Sequence, residues 1–96
     1  MSQTVVETSA ITRLMPMYRI LIHNDPITTF EFVVKVLVQV FNKEVEFASK
    51  LALEVHLNEI GLVGVYPLEH AEFLVDQAKA MALTEKFPLT FTIEPA

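Results

Sequence analysis

Residues 17–41, MYRILIHNDPITTFEFVVKVLVQVF, decide how the chain folds. In the first part of this stretch Tyr18, Ile20 and Ile22 alternate with Arg19, Leu21 and His23. A two-residue period of this kind marks a strand with one well-buried face. Asn24-Asp25-Pro26 ends it, because Asn and Asp favour turns and Pro has no N–H to give to a ladder. Thr28 with Glu31 three residues later forms a capping-box pattern, so a helix is expected to start there. Its apolar positions are Phe30, Val33, Val34, Leu37, Val38 and Phe41, in steps of three and four that make one continuous stripe. The many valines are weak helix formers, so burial of that stripe has to outweigh propensity.

Working outward, a break at Asn42-Lys43 leads to a second helix over about 44–58, with Phe47, Leu51 and Val55 in one row and Ala48 and Ala52 beside them. Residues 61–66, GLVGVY, read as a short, largely buried strand. Pro67 suits the first turn of a third helix reaching about residue 85, with Leu68, Ala71, Val75, Ala78 and Ala82 facing inward. Pro88 closes that region, and Leu89, Phe91 and Ile93 alternate with Thr90, Thr92 and Glu94 in a last strand. The order is β-α-α-β-α-β. The expected fold is α+β, with three helices packed on one face of a small three-stranded antiparallel sheet. Residues 1–16 are mostly polar and carry no sustained period, and read as a flexible tail ahead of a core domain at 17–96.

A chain of 96 residues supports one domain with little to spare, and its 52% hydrophobic content argues for a folded core. No apolar run approaches the roughly 18 residues that cross a bilayer. The opening MSQTVVETSAIT lacks the basic start and apolar segment of a signal peptide, so no membrane association and a cytoplasmic location are expected. The absence of cysteine excludes disulfides, thiolate metal sites and a Cys nucleophile. A net charge of −5 argues against nucleic-acid binding, which depends on Lys and Arg.

Signatures of catalysis and of cofactors are sparse. Gly61 and Gly64 are the only glycines and form no phosphate loop, there is no HExxH, and no metal or cofactor is expected. His23 and His70 read as packed or solvated residues. Asn24 and Asp25 stand out as polar groups held at a strand end, where a scaffold fixes binding groups, although ordinary turn chemistry favours the same residues. His56 is expected on the apolar side of the second helix, beside Val55. The residues leave three readings: a binding module, a small hydrolase with Asp25 and His56 as an acid–base pair, or a structural interaction domain of similar layout. The hydrolase lacks a nucleophile and an oxyanion site.

Three blocks resemble the ClpS adaptor family. Residues 17–41 are similar to its strand ending in Asn-Asp, Thr turn and helix opening with an apolar residue, Glu and Phe. Residues 51–72, LALEVHLNEIGLVGVYPLEHAE, resemble its Val-His pair, Gly-Val-aromatic strand and Glu-bearing helix start, and FPLTFTIE at 87–94 its Pro-Leu closing strand. The resemblance implies a non-enzymatic adaptor. Such a protein binds N-degron substrates with a free N-terminal bulky hydrophobic residue (Leu, Phe, Tyr or Trp) and delivers them to the N-domain of a ClpA- or ClpC-like AAA+ unfoldase paired with a peptidase. It implies a cytoplasmic or, for a plastid protein, stromal monomer. Carried over by position, Asn24, Asp25 and His56 would hold the substrate α-amine, Thr28, Phe30, Ala52, Val55 and Leu89 would line the side-chain pocket, and Glu69 would dock on the unfoldase. An α-ammonium has three donors and no acceptor, so a carboxamide oxygen, a carboxylate and a ring nitrogen suit it.

The chain departs from the family pattern at four places. Pro26 stands where a second acidic residue is common, Phe30 and Ala52 where Met is common, and Leu74 where the docking helix commonly carries Lys. With the pocket reshaped in this way, Leu is the expected favoured first residue.

Overall fold

The structure, a computed structural model, describes residues 15–96. Three strands and three helices succeed one another as β1 (Met17–His23), α1 (Phe30–Gln39), α2 (Val45–Asn58), β2 (Ile60–Pro67), α3 (Leu68–Thr84) and β3 (Thr90–Pro95). The strands form one sheet in the order β2-β1-β3, with both pairings antiparallel. The expected α+β fold and its element order are therefore the observed ones. Of the residues read as a tail, 1–14 lie outside the described residues, and Met15 and Pro16 are exposed.

The alternation in β1 does what its period requires. Ile20 and Ile22 are fully buried beneath the helices, while Arg19 on the opposite face is exposed and pairs with Glu94 of β3. Between Ile20 and Leu21 the register with β2 shifts: Ile20 faces Gly64 and Leu21 faces Leu62, so Val63 is an extra residue in a bulge and turns into the core. Gly61 is required by close approach. A Cβ there would lie 2.7 Å from both Leu51 Cδ1 and Val55 Cγ2, so β2 presses directly against α2.

The cap of α1 differs from the expectation. Thr29, not Thr28, is the N-cap, and its hydroxyl accepts from Phe32 N–H at 3.1 Å. Thr28 is drawn instead to Asp25, and Glu31 does not close a capping box on it. The buried stripe of α1 is Phe32, Val33, Val36 and Leu37, so Phe32 and Val36 take the core places expected of Phe30 and Val38. Phe32 packs on the ring of Phe87 at 4.9 Å between centroids, and Phe30 is left 44% exposed.

Two other inward assignments are corrected. Phe47 in the first turn of α2 is half exposed, with the Lys43 ammonium over its ring, and Leu68 at the start of α3 is partly exposed. Burial in the first turn of α2 falls instead on Ala48, the next residue, and in α3 it begins at Ala71. The remaining inward row of α3, Ala71, Val75, Ala78 and Ala82, is buried and gains Leu74. Leu74 is only 7% exposed, so it does not present a docking side chain in place of lysine; it fills the core between Ala71 and Ala78.

Candidate functional site

The sheet topology gathers the sequence-predicted groups at one end. His23, the last residue of β1, is the register partner of both Ile60, the first of β2, and Thr90, the first of β3. The β1–α1 loop, the C-terminal end of α2 and the segment entering β3 therefore converge there. The His23 ring is anchored within the sheet, 2.7 Å from the Thr92 hydroxyl.

Asp25 organises the loop. Its Oδ1 accepts from the backbone N–H groups of Ile27 (2.8 Å) and Thr28 (2.7 Å), and its Oδ2 accepts from the Thr28 hydroxyl at 2.6 Å. Partial burial pushes the Asp25 carboxyl up, but these three hydrogen bonds together outweigh it and hold the group below the ordinary carboxylate range. Asp25 is therefore a fixed anion at neutral pH. Both lone pairs of Oδ1 are used by the loop, and Oδ2 keeps one free to accept. A carboxylate so stabilised is a poor general acid, and its hydrogen bonds go to Ile27 and Thr28 rather than to His56.

The loop and α2 are clamped together through the backbone. The Asn24 N–H donates to the Glu59 carbonyl at 2.9 Å. Glu59 is the C-cap of α2, in the left-handed conformation (φ 74°, ψ −15°), and its own N–H returns to the Val55 carbonyl at 2.8 Å. His56 lies within this last turn and is exposed, not on the buried side of the helix as expected. Burial falls on its neighbour Val55, one residue earlier. An exposed ring on a clamped turn is open to solvent and to ligand, and a core role for His56 is excluded. Sequence reasoning missed Glu59. The signal was the interval between Asn58 and Gly61, where a helix must stop and a strand begin with no glycine to make the left-handed turn.

The residues expected to line the side-chain pocket divide into two groups. Ala52, Val55 and Leu89 are 3%, 2% and 6% exposed and belong to one buried cluster. Leu89 immediately precedes the Thr90–His23 pair, so it enters the core at the same end of the sheet. Thr28 is half-buried and its hydroxyl is committed to Asp25, while Phe30 is half exposed at the start of α1. Of the five residues expected to line a side-chain pocket, three thus belong to the core and two lie nearer its surface.

Glu69 is at the other end. It is exposed in the first turn of α3, just beyond the Met17–Pro67 pair, and eight residues of β2 separate it from the Asn24–Asp25 end. At strand rise that is roughly 23 Å. Glu69 lines a cavity of ≈ 370 Å³ with Met15, Pro16, Tyr18, Pro67 and Leu68. Asn24 and Asp25, expected to bind substrate, and Glu69, expected to dock, thus lie at opposite ends of one sheet. No helix among the described residues is long and apolar enough to cross a membrane.

Comparison with known proteins matches this chain to one family. Residues 13–92 match the family model described as ATP-dependent Clp protease adaptor protein ClpS. The chain is 40% identical over 95 residues to the ATP-dependent Clp protease adapter protein ClpS of Desulfatibacillum aliphaticivorans, covering 99% of this chain and 91% of that one. It is 46% identical over 82 residues to the ClpS adapter of Nitratidesulfovibrio vulgaris, covering 85% and 79%. Its fold superimposes on the structure of Agrobacterium tumefaciens ClpS2 bound to L-phenylalaninamide with a TM-score of 0.81 and 30% identity, covering 84% of this chain and 98% of that one. The chain belongs to the ClpS family and is a non-catalytic adaptor that works with the AAA+ chaperone of an ATP-dependent Clp protease.

Proposed function

We propose that this adaptor selects proteins by a free N-terminal bulky hydrophobic residue, with Leu favoured over Phe, Tyr and Trp. The observation that carries the reading is the fixed anion of Asp25 on a loop that the Asn24–Glu59 hydrogen bond holds against the turn bearing His56. Asn24, Asp25 and His56 would accept from the three N–H donors of the α-ammonium. Thr28 and Phe30 would flank the first side chain over the floor of Ala52, Val55 and Leu89. Burial of one such side chain contributes roughly 1.5–3 kcal/mol.

The ligand of the Agrobacterium protein supports this reading by its chemistry. L-phenylalaninamide has a free α-amine, one bulky apolar side chain and an amide where a peptide would continue, so it has the groups of a first residue. By the same reading Glu69 and its cavity face the unfoldase N-domain, and the protein acts in the cytoplasm as a monomer that carries its substrate at the opposite end from its partner. The test is degradation of a folded reporter by a Clp unfoldase–peptidase pair with and without the adaptor. A reporter starting with Leu should be degraded faster when the adaptor is added, and one starting with Ala or Glu should not. Equal acceleration of all three would leave an adaptor without N-terminal selectivity.

A further inference from the structure

Where the β1–α1 loop leaves the sheet, three consecutive residues make three different kinds of hydrogen bond. The His23 ring nitrogen Nε2 lies 2.7 Å from the Thr92 hydroxyl of β3. The Asn24 N–H donates to the Glu59 carbonyl at the end of α2. The Asp25 carboxylate accepts from Ile27 and Thr28 within the loop. The last two tie the loop to α2 and to itself. The first ties it on the remaining side, to β3. His23 is the last residue paired in both ladders, so strand pairing no longer holds the chain beyond it. Ladder ends open more readily than ladder centres, and a side-chain bond at that position opposes the opening.

The bond runs diagonally across the sheet. In register His23 faces Thr90 and Leu21 faces Thr92, and a neighbour two residues along the partner strand is within reach of an aromatic ring. His23 alternates with the buried Ile20 and Ile22, so its ring lies on the face turned away from the helices, as does Arg19, which pairs with Glu94 at the far end of the same ladder. A hydroxyl both donates and accepts, so the His23–Thr92 bond forms with either tautomer of the ring. The contact also reaches the segment that carries Leu89, which directly precedes Thr90 and is buried.

We propose that His23 is a positioning residue for substrate recognition: through Thr92 it holds the entry to β3 against the end of β1 and so fixes Asn24 relative to Leu89. Asn24, one residue on, supplies an acceptor for the α-amine, and Leu89 belongs to the pocket for the first side chain. The amine and the side chain are carried by one Cα, so both are bound at once only if the two halves of the site keep a fixed separation. Preorganising that separation raises affinity without adding a contact to the substrate. This proposal rests on the amine-binding reading.

The test compares Thr92→Val, which removes the hydroxyl and keeps the shape, with Thr92→Ser, which keeps the hydroxyl. Glu94→Ala breaks the other cross-strand side-chain pair of this ladder and controls for general loosening of the sheet. Dissociation constants for a labelled Leu-initiated peptide and its acetylated twin are read by fluorescence anisotropy, at a temperature where circular dichroism shows every variant folded. Thr92→Val should weaken the free peptide by about three- to tenfold, while Thr92→Ser should stay within about twofold of the natural protein and Glu94→Ala should match it. His23→Ala should weaken binding as Thr92→Val does, and combining the two should add less than about twofold, since one bond is lost in either case. Natural affinity in Thr92→Val overturns the proposal. So does a Thr92→Ser variant as weak as Thr92→Val, which would trace the effect to the methyl group, or an equal loss in Glu94→Ala. In each of these outcomes amine recognition still stands. Free and acetylated peptides binding alike to the natural protein would instead overturn the amine-binding reading, and this proposal with it.

Discussion

The Thr28 hydroxyl donates to Asp25 Oδ2 at 2.6 Å, which leaves Thr29 to cap the first helix and supplies one of the three hydrogen bonds that together hold the Asp25 carboxyl below its ordinary value against partial burial. Had Thr28 been the cap, Asp25 would have lost its nearest donor and α1 would have begun one residue earlier. The loop thus uses two consecutive threonines for two tasks. Thr28→Val, which keeps the shape and removes the hydroxyl, should weaken binding of a Leu-initiated peptide by about tenfold and lower stability by about 0.5–1.5 kcal/mol. The checks are fluorescence anisotropy and urea denaturation.

The same contact sets a pH dependence. Asp25 has its folded-state pKa below the ordinary carboxylate value, so its contribution to stability is complete above the unfolded value and is lost as pH falls through the folded one. Between pH 6 and 8 it should therefore be flat. Thr28→Val should bring the folded pKa back toward the ordinary value. Urea midpoints for the natural protein and the variant should then converge as the pH is lowered toward 3, and differ most near neutrality. A difference that grows on acidification would contradict the assignment.

Removing an acceptor from the proposed amine site should be costly to binding; it should be mild for folding at His56, whereas Asp25→Ala also removes three loop hydrogen bonds and should lower stability without unfolding the domain. Asp25→Ala and His56→Ala are each expected to weaken a Leu- or Phe-initiated peptide by roughly ten- to a hundredfold, the loss of a charge-assisted hydrogen bond of about 1.5–3 kcal/mol. His56 is exposed, so its variant should keep its thermal midpoint within a degree or two. Unchanged affinity in both variants would remove the site.

Much of the fold was legible in the sequence, for reasons that differ by element. The period of β1 and the small-residue row of α3 were readable because burial on one face leaves a mark every second or every third and fourth residue. The Asn24–Asp25 loop was readable because turn chemistry and binding chemistry use the same residues. The phase of α1 was not, since in FEFVVKVLV nearly every position is apolar and only the Thr28–Asp25 contact decides which threonine caps. The exposure of His56 depended on the roll of α2 against β2, which Gly61 fixes by letting Leu51 and Val55 come close. The left-handed turn at Glu59 left only an indirect mark, the short interval between Asn58 and Gly61, because the residue that makes it is not glycine.

Ala52 tests the pocket. At 3% exposure it has little free space around it, so Ala52→Met should cost about 1–3 kcal/mol of stability by overpacking as well as narrowing the pocket floor. Affinity for Ile- and Val-initiated peptides should fall more than affinity for Leu, because β-branched side chains need room beside Cβ. In the natural protein the order should be Leu, then Phe and Tyr, then Trp. A peptide series varying only the first residue reads both orders, and Trp ahead of Leu would show that other side chains shape the pocket.

Docking should separate cleanly from recognition, because Glu69 lies the length of β2 away from Asn24. Glu69→Lys should leave peptide affinity unchanged and slow adaptor-dependent degradation. Deleting residues 1–12 should likewise spare affinity and slow delivery. Degradation at the natural rate by both variants would place the unfoldase contact elsewhere.

The central claim is that Asn24, Asp25 and His56 read a free α-amine, and acetylation removes that group while leaving the side chain intact. The most direct measurement titrates the natural protein into a labelled Leu-initiated peptide and into its N-acetylated twin at neutral pH. The account predicts saturable binding of the free peptide and a loss of at least about a hundredfold for the acetylated one, since acetylation abolishes the charge and two of the three donors. Equal affinity for the two peptides would contradict it.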